Sequence, residues 1–200
     1  AFQEKQMIAY FTKLLVSWLI QHDAINEHDK ELYEYAVYSI LLTISPIFFS
    51  IVIGWILGLL KESIIMVLPF TIIRKFSGGY HAGNINYCLV GSCCILAFCI
   101  KITTIIKSGL GLSIITLCAI NSLCINSPIE QENHTLDINE KQAYAKLARY
   151  ITLSFGIISV ILCKLQRNEY AICISIGLIL TAALQIPCLL QKRYTKKKPL

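Results

Sequence analysis

The chain has 200 residues, of which 56% are apolar and only 15% charged, and its mean hydropathy is +0.62. A soluble domain of this size carries more charge and breaks its apolar residues into short runs; here they form long blocks that a water-soluble core could not absorb. The net charge of +6 includes a basic tail at residues 191–200, Lys192 to Lys198, which reads as a cytoplasmic anchor facing anionic lipid and not as a nucleic-acid-binding arm.

In residues 1–20, apolar side chains fall at 7, 8, 11, 14, 15, 18 and 19 and polar ones at 3, 6, 13 and 17. That spacing predicts an amphipathic helix within a cytoplasmic N-terminal segment, 1–35. Such a helix can lie in the membrane interface, or pack on its own protein or on a second subunit; spacing does not separate these. The first 35 residues also lack the apolar run and small-residue cleavage site of a secretory signal peptide. A hydrocarbon core of about 30 Å needs about 20 helical residues. Ile40–Leu60 meets that length, with Pro46 near its start. Ser63–Ile73 is apolar but short, so it is tilted, partly buried or re-entrant. Ile85–Ile106, Leu110–Ile125, Ile151–Cys163 and Ala171–Leu190 follow. The predicted fold is all-α: one polytopic membrane domain, 1–200, of about six transmembrane helices plus the amphipathic helix.

The positive-inside rule puts the basic tail inside. Counting back places the polar loop 126–150, the stretch 74–88 and the N-terminus on the cytoplasmic side. The nine cysteines are an odd number and lie mostly in apolar blocks, where they read as small packing residues and not as a disulfide framework.

One polar stretch, Arg74 to Cys88, interrupts the apolar pattern. It contains Gly78, Gly79, His81, Gly83, Asn84 and Asn86. Paired glycines permit a tight, non-helical turn, and Cys88 falls where the next membrane helix begins. Unpaired N–H groups at a helix start favour a thiolate, and a nearby imidazole can take the thiol proton. In one continuous helix His81 and Cys88 would stand roughly 10 Å apart along the axis, so a working pair requires the backbone between them to fold back. Asn84 or Asn86 could orient the imidazole. The competing reading is an interfacial histidine and a packing cysteine, and spacing alone leaves the two balanced. No HExxH and no paired CxxC occurs, so no metal site is read.

Arg74-x-x-x-Gly78-Gly79-x-His81-Ala82 followed by Cys88 resembles the AgrB family of accessory gene regulator proteins. The loop Asn126 to Asn133, with Pro128 and Glu130, and the stretch Lys141 to Arg149 resemble that family's cytoplasmic loop, and length and hydropathy match along nearly the whole chain. The resemblance implies a cysteine endopeptidase of the bacterial cell membrane that processes an AgrD-like precursor of a cyclic quorum-sensing peptide. It implies Cys88 as nucleophile and His81 as general base, with Arg74, Gly78 and Gly79 shaping the site. Lys75, Asn84, Asn86, Pro128 and Glu130 become candidates for contact with the peptide. It implies no cofactor, and a homodimer as the assembly. The alternative from another class is a small membrane transporter or peptide exporter, against which the spans offer few ionisable residues and no visible inverted repeat.

Overall fold

The computed structural model describes residues 5–22, 24–77, 85–128 and 138–196. Within them the chain is all-helical: α1 (Lys5–Gln21), a single 3₁₀ turn (Glu27–Asp29), α2 (Lys30–Ile56), α3 (Leu60–Ser77), α4 (Ile85–Ile105), α5 (Leu110–Asn126), α6 (Ile138–Lys164) and α7 (Asn168–Lys196). Among the described residues two stretches are long and apolar enough to cross a membrane, Lys141–Lys164 in α6 and Asn168–Leu190 in α7. Ile44–Ile56, Gly91–Ile105 and Leu110–Asn126 are shorter apolar helices.

The apolar pattern is inverted relative to a soluble bundle. Leu153, Ile157, Val160 and Ile161 of α6 are exposed, as are Ile95 and Phe98 of α4 and Leu110, Ile114 and Leu117 of α5. These are the surfaces a lipid solvent selects. Helix α7 is the exception and forms the core. Residues 171–178 are all buried, and the helix packs against α3, α4, α5 and α6. A helix that is apolar all round belongs inside, and α7 is surrounded. Met66, Val67 and Phe70 of α3, Leu96 and Ile100 of α4, and Ile172, Ile176 and Leu180 of α7 make one apolar cluster. Ile73 of α3, Ala119 and Leu123 of α5, and Leu178 and Ala182 of α7 make the next.

Small residues bring the helices close. Gly177 of α7 lies against the backbone of Met66 and the ring of Pro69 in α3. The Ser50 hydroxyl donates to the Ser63 carbonyl at 3.1 Å, joining α2 to α3. Ser159 and Ser175 share a hydrogen bond of 3.0 Å between α6 and α7. Without water to drive association, close approach and hydrogen bonds of this kind hold helices together.

Two sharp turns fix the helix hairpins. After α2, Gly58 takes φ +68°; its N–H donates to Trp55 O at 3.1 Å and that of Leu59 to Gly54 O at 2.7 Å. This is the paired-bond helix stop that glycine favours. The α6–α7 turn has the same bonds, Gln166 N–H to Cys163 O at 3.1 Å and Arg167 N–H to Leu162 O at 2.9 Å. There, however, the left-handed residue is Gln166, with φ 58°. A side chain at that φ costs about 1–2 kcal/mol. Gln166→Gly is therefore expected to raise stability by about 1 kcal/mol, read as a higher thermal midpoint in detergent; an unchanged or lower midpoint would contradict this turn.

Two sequence expectations take a different form, and of the alternatives left open for the N-terminal helix one is seen. The short second segment is part of a full helix, Leu60–Ser77, packed against α2 and α7. The polar stretch 126–150 is not a loop throughout, because α6 begins at Ile138 and carries Lys141 to Arg149 on helical turns. Helix α1 packs on α2; Thr12 and Val16 are buried, while Leu14, Leu15 and Trp18 stay exposed.

Candidate functional site

Helix register shows which ends meet. Cys173 of α7 lies beside Glu62 of α3 and Thr103 of α4. Helix α3 runs parallel to α7, since Met66 and Pro69 meet Gly177 four residues further on. Helix α4 runs antiparallel to α7, with Leu96 and Ile100 in the same cluster as Ile176 and Leu180. From that shared level, Glu62 to Ser77 rises about 22 Å, Thr103 back to Cys88 about 22 Å, and Cys173 to Gln185 about 18 Å. The C-terminus of α3, the first turn of α4 and the Gln185 turn of α7 thus share one end of the bundle.

Cys88 is the fourth residue of α4. The helix starts at Ile85, so the backbone carries Asn86 and Cys88 in its first turn, where N–H groups have no intrahelical acceptor. Gly78, Gly79, His81 and Asn84 lie outside the described residues, as does Glu130, and so does the expected fold-back of His81 toward Cys88. Arg74 sits on the last turn of α3, half-buried, with its guanidinium 5.5 Å from the centre of the Phe70 ring. That contact holds the guanidinium against the aromatic face. Lys75 is exposed, its ammonium 5.9 Å from the Phe76 ring. Phe76 in turn pairs with Tyr144 of α6 at 6.1 Å, tying the end of α3 to the basic turns of α6. Pro128 is half-buried just past α5.

Sequence reasoning missed a polar joint at this end. Gln185 is 1% exposed, and its Nε2 donates to Ser127 Oγ at 3.1 Å. Its Oε1 is buried without a hydrogen-bond partner among the described residues. Arg149 of α6 donates from Nε to Cys124 O at 2.9 Å, closing a free carbonyl at the C-terminus of α5 and placing a positive charge at the negative helix end. The α5 exit is thus fastened from both α6 and α7. A glutamine inside the apolar block 171–190 was the available signal, because polar groups at membrane depth are expensive. Gln185→Leu keeps most of the volume and removes the lone oxygen, so it should shift stability by less than about 1 kcal/mol. Gln185→Ala leaves a cavity and should cost about 2–4 kcal/mol. Equal losses in thermal melts of the two variants would contradict this reading.

Among the described residues, no group of three or more His, Cys, Asp or Glu side chains comes together.

The family model of accessory gene regulator B matches residues 12–187. The chain belongs to the AgrB family. The match covers all seven helices, at least in part, and the whole segment from Arg74 to Cys88. Among curated relatives, AgrB-like protein 2 of Clostridium perfringens strain 13 is 28% identical over 95 residues, 47% of this chain and 44% of that protein. An AgrB-like protein of Clostridium perfringens strain SM101 is 30% identical over 95 residues, again 47% and 44%. AgrB-like protein 1 of strain 13 is 28% identical over 120 residues, 60% of this chain and 64% of that protein. The chain thus spans less than two thirds of the length of the curated relatives it matches. No solved structure matches it. The outward apolar helices are those of a membrane protein, in keeping with AgrB membership.

Proposed function

We propose that this chain is a membrane-embedded cysteine endopeptidase that cleaves an AgrD-like precursor and closes the autoinducing peptide into a ring. The observation that carries the reading is the place of Cys88 in the first turn of α4, directly after the segment bearing His81, in a chain matched to the AgrB family from residue 12 to 187. Helices α2 to α7 make six crossings of the bacterial cell membrane. Both termini and the Ser77–Cys88–Gln185 end are cytoplasmic. Helix α3 crosses fully: its 18 residues rise about 27 Å alongside α7.

The chemistry follows from the residues. His81 takes the Cys88 proton, and the thiolate attacks a backbone carbonyl of the precursor. A C–S bond forms, and the oxyanion meets the free N–H groups of the α4 first turn. The C–N bond then breaks, the leaving amine takes its proton from the imidazolium, and the acidic tail departs. The remaining peptide is held on Cys88 as a thioester. An internal cysteine or serine of the peptide attacks that thioester, giving a thiolactone or lactone and returning Cys88 to the thiol. A site at the membrane boundary favours this internal attack over water. Arg74, Lys75, Lys141, Lys146 and Arg149 attract the acidic tail, and Pro128 and Glu130 are candidates for contact with it. The enzyme works as a homodimer.

Co-expression with the precursor tests this directly. Mass spectrometry of cells and medium should find the released C-terminal tail and a ring one water lighter than the linear fragment. A full-length precursor moved intact to the medium would point to an exporter instead.

A further inference from the structure

One polar side chain faces the wrong solvent. Asn121 of α5 is exposed, and its carboxamide has no hydrogen-bond partner among the described residues. It lies five residues before the end of an apolar helix at Asn126, about 7.5 Å inside that end. The opposite face of α5, with Thr116, Ala119 and Leu123, is buried in the bundle, so Asn121 cannot turn inward without breaking that packing. A carboxamide carries two donors and an acceptor with two lone pairs. An acyl chain satisfies none of them.

Its neighbours form a seam. Leu110, Ile114 and Leu117 are 85%, 61% and 68% exposed, and Asn121 and Ile125 continue the stripe. The spacing alternates four and three residues from 110 through 121, the repeat that lets two helices interlock at about 20°. Within such a seam a single asparagine fixes register and the number of strands.

We infer that this face of α5 is the interface with a second copy of the chain, with Asn121 bonded to Asn121 of the second copy across a two-fold axis normal to the membrane. A second copy is the occupant because it brings the same group to the same depth. The carboxamide is self-complementary, and two-fold symmetry sets each seam residue opposite its own counterpart. A different membrane protein would need a matching polar group at that depth by coincidence. The inference rests on the homodimer reading and on α5 crossing the bilayer, and it adds where the copies meet.

Single-molecule photobleaching of fluorescently labelled full chain, diluted into phosphatidylglycerol–phosphatidylcholine vesicles, tests it. The wild-type chain should bleach in two steps. Asn121→Leu should weaken dimerisation by about tenfold, and Asn121→Gln should restore most of it. Leu117→Cys should form an inter-chain disulfide under mild oxidation above the level given by the native cysteines, whereas Leu153→Cys on α6 should not. A two-step wild type unaffected by Asn121→Leu, without the Leu117→Cys cross-link, overturns the α5 interface and leaves the homodimer reading intact. Single-step bleaching of the wild type at every density overturns both.

Discussion

Cys88→Ala is expected to abolish precursor cleavage, with a loss of at least about 10³-fold, and His81→Ala to do nearly the same. In the proposed reaction the thiol supplies the bond that holds the peptide. Cys124 on α5 and Cys188 on α7 lie near this end too, but neither stands in the first turn of a helix, and Cys173 is buried at the Glu62 and Thr103 level. Cys93→Ala and Cys94→Ala, about one and a half turns further along α4, should keep cleavage. His81→Ala removes the proton acceptor but leaves the thiol, so it should recover partly at high pH, where the thiol ionises unaided. Cys88→Ala should not recover at any pH. Both variants should reach the membrane at the wild-type level, which immunoblots of membrane fractions check. Full cleavage by Cys88→Ala would remove the peptidase assignment.

The largest structural effect is expected at Gly177. An added Cβ would stand 2.8 Å from Pro69 Cγ and closer still to the Met66 carbonyl. Neither is a flexible side-chain end. The helices would have to part, and α3 against α7 is the centre of the bundle. Gly177→Ala should cost about 1–3 kcal/mol, and Gly177→Val more, enough to remove most folded protein. Gly91 of α4 is the control, because among the described residues nothing lies within 4 Å of a Cβ added there. Gly91→Ala should be neutral or stabilising by up to about 1 kcal/mol through its better helix propensity. Thermal midpoints in detergent separate the cases, and a wild-type midpoint for Gly177→Ala would contradict the α3–α7 contact.

The all-helical fold was legible because apolar block length is a strong signal, but hydropathy marks where the lipid-facing part of a helix lies and not where the helix begins. Helix α2 therefore starts at Lys30 and α6 at Ile138, well before their apolar runs. The short reading of α3 has a related cause. Lys61 and Glu62 before it and Arg74 and Lys75 after it bound the apolar run at 63–73, although the helix continues through both pairs. Ser63, Thr71 and Ser77 lower its hydropathy further, yet all three are buried. The Ser63 hydroxyl donates to Leu60 O at 2.9 Å and that of Thr71 to Val67 O at 2.9 Å. These small polar residues serve helix contact, which a hydropathy window cannot tell from exposure. At the candidate site, the place of Cys88 at a helix start was legible from the glycines before it. The Gln185–Ser127 joint was not, because its partners are 58 residues apart and only packing brings them together.

The central claim is that Cys88 carries the peptide as a thioester, and intact-mass measurement of the purified protein mixed with precursor tests it most directly. The expected result is a protein heavier by the precursor minus its C-terminal tail, with the added mass on the proteolytic fragment that contains Cys88 and removed by neutral hydroxylamine. Cys88→Ser should give either no adduct or a hydroxylamine-resistant ester. Cleavage that proceeds with no adduct on Cys88 at any time, or with the adduct on another cysteine, would contradict the account.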